Sequence, residues 1–220
     1  MSEQVLILGR SGSGKSTSIE NLDPEKTAVI NVVGKSMPFK GWKRKYNVEN
    51  KNYYASRSYS DIILVINRFV QLGKEVIVLD DVQYLMSGEF MDKAKISGWD
   101  KYTDMAANFY NLIEKTIKPI SREKGVYFFL LGHTDESDQN NIKMKTIGKL
   151  LDEKIIVEGL FTIVLFAEGR ITENKPLKYF RTQGLGNDSC KSPRGMFEEM
   201  EIPNDLNYVL TKIKEYEGEE

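Results

Sequence analysis

The sequence predicts an α/β protein with a doubly wound, mostly parallel sheet. Nearly continuous apolar runs at Val5–Leu8, Thr27–Val33, Val76–Leu79, Val126–Leu131 and Leu160–Ala167 lack the polar alternation of a half-exposed strand, so each reads as a strand covered on both faces. Segments of helical spacing separate them, and alternation of strand and helix makes a parallel sheet. A glycine-rich loop follows the first run directly, which places a ligand at the carboxyl edge of the strands.

With 220 residues, 40% hydrophobic and 29% charged, the chain is expected to form one domain, residues 1–220, around a sizeable core. The formal net charge of −1 excludes a globally basic protein, so nucleic acid would need a local patch or patches gathered by oligomerisation. Cys190 is the single cysteine and His133 the single histidine, which excludes an intrachain disulfide and any Cys-based or His-rich metal site. No apolar run approaches the ~18 residues of a membrane helix. Met-Ser-Glu-Gln leads straight into the first strand without a leader pattern, so a cytoplasmic location is expected.

Gly9-Arg10-Ser11-Gly12-Ser13-Gly14-Lys15-Ser16 satisfies G-x-x-x-x-G-K-[ST] at every fixed position. Glycines let such a loop curl until successive N–H groups face phosphate oxygens. A helix expected from Lys15 to about Asn21 adds the partial positive charge of its N-terminus. In this pattern Lys15 reaches the β- and γ-phosphates, the Ser16 hydroxyl takes a position on Mg²⁺, and Thr17 stands beside it. ATP and Mg²⁺ are the expected ligands.

Asp23-Pro24 breaks the chain before the second strand. Residues 35–57 then carry Lys35, Lys40, Lys43, Arg44, Lys45, Lys51 and Arg57 against one acid, Glu49, with Phe39, Trp42, Tyr46, Tyr53 and Tyr54 interleaved. Cations and flat rings in one segment suit single-stranded nucleic acid, with Lys43 and Arg44 as candidate contacts. The same composition also suits a solvated loop pinned by a few rings. A helix follows from Ser60, its apolar face running from Ile62 to Leu72 and Gly73 standing where a C-terminal cap belongs.

Glu75–Asp81 reads as a buried strand ending in two carboxylates. Asp80 at its edge would hold Mg²⁺ across from Ser16. Asp81 is next in line, either as the base that activates water or as a solvated strand end. Residues 82–100 read as a loop with short structure, marked by Gly88, Gly98 and Trp99, and Lys101–Lys124 as a helix kinked or divided at Pro119. The strand Val126–Leu131 leads into His133 and Thr134. Beside the acidic strand, either side chain could face the γ-phosphate and report hydrolysis, or His133 could simply satisfy a neighbouring carbonyl. Residues 135–149 form a polar loop with Lys143, Lys145 and Lys149. Leu177–Thr182 pairs with the Leu160–Ala167 strand as a hairpin around Gly169, Gly184–Gly195 is a loop, and Asn204 caps a last helix of about ten residues before an acidic tail.

The short terminal hairpin leaves no room for the helical lid of an AAA-plus protein and is instead the habit of RecA-like cores. Gly9–Thr17, Val76–Asp81, Ser97-Gly-Trp-Asp-Lys-Tyr-Thr-Asp104 and Phe129–Glu136, with Lys145–Lys149 and Lys191–Phe197, resemble the phage-encoded RecA-like ATPases of the AAA-domain type. These are often found beside single-strand annealing and single-strand binding proteins. The resemblance implies an ATPase acting on single-stranded DNA in phage recombination or replication, in the host cytoplasm, as a homo-oligomer. It implies that the Asp135–Ile147 loop lines the DNA path, bringing forward Asn140, Asn141, Lys143 and Lys145. It also implies a cation from the hairpin region entering a neighbour's site, for which Lys191 and Arg194 fit by position, as do Arg170 and Arg181. The chain departs from the pattern in one place: Val33-Gly34-Lys35 offers no glutamate after the early strand, which leaves Asp81 as the better base. Two other readings stay open, a nucleoside kinase-type phosphotransferase and a nucleotide-switched DNA-binding module with little hydrolysis.

Overall fold

The computed structural model describes residues 3–98, 100–136, 142–147 and 155–218. Among them run nine strands: β1 (Gln4–Gly9), β2 (Thr27–Asn31), β3 (Tyr53–Ala55), β4 (Val76–Asp80), β5 (Tyr127–Glu136), β6 (Ile142–Met144), β7 (Ile163–Thr172), β8 (Lys175–Arg181) and β9 (Glu201–Pro203). Their spatial order is β3-β2-β4-β5-β1-β7-β8-β9, with β6 beside β5. Pairing is parallel from β3 through β7 and antiparallel for β7–β8, β8–β9 and β5–β6. This is the α/β, doubly wound and mostly parallel sheet expected, closed by a hairpin and a helix. Among the described residues no helix is long and apolar enough to cross a membrane.

The central strands are buried on both faces because their side chains alternate between two cores. Leu6, Leu8, Leu79, Phe128 and Phe166 point to one core, shared with helix α2 (Tyr59–Gln71) and the long helical run described below. Val5, Ile7, Val78, Phe129 and Leu165 point to the other, which the terminal helix covers with Leu206, Val209 and Ile213. Only strand-length, fully apolar segments can serve both cores, so β1, β4, β5 and β7 were visible as apolar runs.

Several local expectations are corrected. The helix after the glycine-rich loop is one 3₁₀ turn, Ser16–Ile19, because Ile19 and Leu22 turn into the core and Asp23-Pro24 ends the helical path. Residues 35–57 contain a short helix α1 (Trp42–Lys45) and the edge strand β3. Helix α3 (Gln83–Asp92) is longer than the short structure expected within 82–100; Gln83, Leu85, Met86 and Gly88 are all buried, so it carries no simple apolar stripe. The long helix is α4 (Asp100–Asn111) and α5 (Lys118–Lys124) joined by a π-helical stretch, Leu112–Ile117, which absorbs the hydrogen bond that Pro119 cannot make. The polar loop after His133 begins as the β5–β6 hairpin, in which Asp135 pairs with Lys143. The β7–β8 hairpin turns at Glu173-Asn174, both at positive φ, and Gly169 instead stands opposite Lys178 within the ladder. The last helix, α6 (Leu206–Glu217), is capped by Asp205, whose carboxylate accepts from Asn207 N–H, and not by Asn204.

Candidate nucleotide site

The loop Gly9–Thr17 leaves the carboxyl end of β1 between β5 and β7. A side chain at Gly9 would meet the Ala167 carbonyl of β7 at 2.4 Å, and Gly14 holds φ +104°, so both positions require glycine for the loop to close. Lys15 folds under the loop: its ammonium donates to Gly9 O at 2.7 Å and Arg10 O at 3.0 Å. Burial pushes that ammonium down to about 8, against the pull of Asp81 and Asp80.

β4 brings Asp80 across to the loop, where Ser16 Oγ donates to Asp80 Oδ1 at 2.9 Å. Asp80 is almost fully buried, and burial followed by the charge of Asp81 pushes its carboxyl up to about 6. Asp81 follows the strand in a left-handed conformation, φ +66°, a geometry in which a non-glycine residue persists only where its surroundings hold it. They do: Lys35 pairs with Oδ2, and His133 Nε2 lies 3.2 Å from Oδ1. Burial opposes the charge on Asp81, but the hydrogen bonds from His133 and Lys35 outweigh it and hold the carboxyl below its usual range.

Two cavities flank the loop, sharing Ser11, Gly12 and Ser13. One, of about 360 Å³, is lined by Ser11–Thr17, Lys35, Ser36, Pro38, Asp81 and His133. The other, of about 390 Å³, opens toward Thr134, Phe166, Gly169, Lys178 and Tyr179. Successive residues of β5 face opposite ways, so His133 looks into the first cavity and Thr134 into the second. The donor set of the first fits a nucleoside triphosphate with Mg²⁺. Ser13 Oγ is buried without a partner, Lys15 stands behind the loop, and a hydroxyl and a carboxylate converge as hard oxygen donors. Among the described residues no cluster of three or more His, Cys, Asp or Glu could hold a metal. Ser16 and Asp80 would therefore hold Mg²⁺ together with phosphate oxygens, as that ion prefers.

The other sequence-derived candidates are placed as follows. Lys143 lies on β6 and Lys145 just after it, with Lys145 N–H donating to His133 O at 2.8 Å. Asn140, Asn141 and Lys149 fall outside the described residues. Lys43 and Arg44 are on α1, Lys43 above the Trp42 ring at 5.8 Å. The neighbouring aromatics are largely committed to packing: Phe39 and Tyr46 are buried edge to face, and Tyr53 stacks at a tilt on Trp42. Lys191 and Arg194 line neither cavity; the Lys191 backbone bridges to Val164 in β7. Arg170 pairs with Glu201, and Arg181, nearly buried, pairs with Glu168 and Asp188.

Sequence reasoning missed two cations at the loop. Lys35 was visible only as one member of a basic run. Lys178 extends across Gly169, where a Cβ would meet its Cδ at 2.9 Å, and donates to Gly12 O. A lysine directly opposite a glycine in a hairpin was the available signal.

Fold and loop together define a P-loop: a glycine-rich loop of the G-x-x-x-x-G-K-[ST] pattern leaving the carboxyl end of a central parallel strand. No protein-family model matches the chain, and no curated protein matches its sequence. Among solved structures the chain is similar to a KaiC-like protein from the hyperthermophilic archaeon Pyrococcus horikoshii, at 13% identity and a TM-score of 0.49, over 81% of this chain and 77% of that one.

Proposed function

We propose that the protein binds ATP with Mg²⁺ at Gly9–Thr17, hydrolyses it, and couples that cycle to single-stranded DNA in phage-type recombination or replication. The carrying observation is the Ser16–Asp80 hydrogen bond at 2.9 Å, which brings the two expected Mg²⁺ ligands together beside Lys15. Ser16 and Asp80 would hold the ion, which when bound would supply positive charge at the β- and γ-phosphate oxygens. Lys15 leaves the Gly9 and Arg10 carbonyls for phosphate oxygens, and Asp81, held by His133, orients or deprotonates the attacking water. The DNA half of the reading is supported by proximity: the segment carrying Lys143 and Lys145 is hydrogen-bonded to His133, the residue that touches Asp81. Lys191 and Arg194, which line neither cavity of their own chain, are then offered to a neighbour's site in a homo-oligomer, and a phage single-strand binding or annealing protein is the fitting partner.

ATP turnover with and without single-stranded DNA, across protein concentration, tests this. DNA raises turnover, rate per subunit rises with concentration, and Lys15→Ala abolishes hydrolysis. Absence of stimulation by any nucleic acid overturns the DNA half. One observation favours the nucleotide-switched module: both Asp81 oxygens are engaged, by Lys35 and His133, as the chain stands. Under that reading DNA affinity differs between ATP-bound and nucleotide-free protein while multiple turnovers are not seen. The kinase-type reading gains no such support: among the described residues Arg10, Arg57, Arg170 and Arg181 each pair with a different carboxylate, on Glu136, Asp92, Glu201 and Glu168 respectively.

A further inference from the structure

We infer that Lys35 is the chain's own cation for the terminal phosphate of the bound nucleoside triphosphate. The inference rests on the nucleotide reading of Gly9–Thr17 and goes beyond it by assigning a second, in-chain lysine to the site.

Lys35 follows β2, past the turn at Gly34. It lines the 360 Å³ cavity together with Lys15, Ser16, Asp81 and His133. Its backbone is fixed from beneath: Asn31, fully buried, accepts from Gly34 N–H at 2.8 Å and donates through Nδ2 to Lys35 O at 2.7 Å. Asn31 in turn stands opposite Asp80 in the β2–β4 register, so the turn is tied to the strand that supplies the acidic pair. The Lys35 side chain is 47% exposed and reaches into the cavity to pair with Asp81. It is therefore open to a ligand at one end and held in place at the other.

Two lysines converging on one small cavity repel each other, and the arrangement suits an anion that carries more than one charge. Asp81 offers a single negative charge, whereas a terminal phosphate carries about two and presents three acceptor oxygens. Lys35 exchanges the carboxylate for the phosphate, and His133 remains on Asp81 when it does. Donors already aimed at the place where charge develops are the arrangement that stabilises phosphoryl transfer. A diphosphate has no group at that place, so Lys35 separates ATP from ADP.

The test uses the full chain, with Mg²⁺ and fluorescent derivatives of ATP and ADP, comparing wild type with Lys35→Met, Lys35→Gln and Lys35→Arg by equilibrium binding and single-turnover hydrolysis. Thermal unfolding shows which variants retain the fold, and Lys35→Gln serves if the methionine variant does not. The uncharged variants weaken ATP by about 10- to 100-fold, the range of a lost charge-assisted hydrogen bond, leave ADP affinity unchanged, and slow the single turnover. Lys35→Arg restores most of the loss. Equal losses for ATP and ADP, or undiminished ATP binding, overturn the inference. Faster turnover in the uncharged variants also overturns it, by making Lys35 a lock on Asp81. If the wild type binds neither nucleotide, the nucleotide reading itself falls; if it binds both and Lys35→Gln behaves like wild type, only the role of Lys35 falls.

Discussion

Asp80 and Asp81 are adjacent and equally buried, yet the folded chain treats their charges oppositely. Asp81 has Lys35 and His133 to hold its negative charge. Asp80 has one hydroxyl donor, Ser16, and its carboxyl is pushed up from 3.8 to about 6, first by burial and then by Asp81. A raised carboxyl favours the protonated native state. Its contribution is fully present below the unfolded value near 3.8 and is lost as pH rises through about 6. At neutral pH the ionised form then costs on the order of 3 kcal/mol in the nucleotide-free chain. Asp80→Asn, which can still accept from Ser16, should raise the unfolding free energy at pH 7 by about 1–3 kcal/mol while removing Mg²⁺-dependent nucleotide binding. Thermal melts with and without Mg²⁺ and ATP check both halves; a lower melting temperature for the variant would refute the account of Asp80. Lys15 gives a second pH signature. Its ammonium, lowered to about 8 in the free protein, must be charged to hold phosphate. Below that value binding needs no proton; above it binding takes one up, so affinity should fall by up to about tenfold per pH unit. Titration of ATP affinity from pH 7 to 9.5 measures the slope.

Elements were legible in the sequence in proportion to how locally their residues determine them. Strands β1, β4, β5 and β7 serve two cores at once, which forces apolar runs, and the phosphate loop is specified by eight consecutive residues. β3, β6 and β9 are three residues each and owe their pairing to neighbours distant in sequence, so no local period marks them. Helix α3 buries the polar Gln83 and exposes the apolar Tyr84 and Met91, and therefore lacks an amphipathic signature. Lys35 and Lys178 enter the site through tertiary contacts alone. The same distinction separates two sequence expectations near the C-terminus. Asp205, not Asn204, caps α6, so Asp205→Ala should cost about 1 kcal/mol of stability in denaturant melts, and Asn204→Ala should leave the helix intact. Arg181 was a candidate for a neighbour's site. Its nearly buried guanidinium instead pins β8 to Glu168 and to Asp188, whose side chain is 1% exposed. Arg181→Met strands a buried carboxylate and should destabilise the chain by about 3–5 kcal/mol, with any loss of turnover following the loss of fold. A stable, inactive Arg181→Met protein would return Arg181 to the chemistry.

Across the whole molecule, the nucleotide loop and the basic Lys143–Lys145 segment are joined by short links. Arg10 of the loop pairs with Glu136 at the end of β5. Lys145 N–H is bonded to His133 O, and Ile142 N–H to Asn187 O, which ties β6 to the loop beyond the hairpin. The Arg10–Glu136 pair is largely exposed, so it contributes little to stability and exchanges readily for another anion. Under the proposed function, a triphosphate in the cavity lined by His133 would therefore shift the segment without breaking the core. Since the net charge is −1, attraction to DNA has to come from a local surface, and two candidates exist: Lys143 with Lys145 beside β6, and Lys43 with Arg44 on α1. Counterion release distinguishes them. Each cation that meets a phosphate on single-stranded DNA contributes about 0.7 to the slope of log affinity against log salt. Lys143→Ala with Lys145→Ala should reduce that slope by about 1.4 and weaken all DNA sequences alike. It should also lower the ratio of DNA-stimulated to basal ATP turnover, because this surface is the one bonded to His133. If Lys43→Ala with Arg44→Ala flattens the slope instead, the DNA path runs over α1, and coupling to the nucleotide has to pass through Lys45, which donates to Glu20 O behind the phosphate loop.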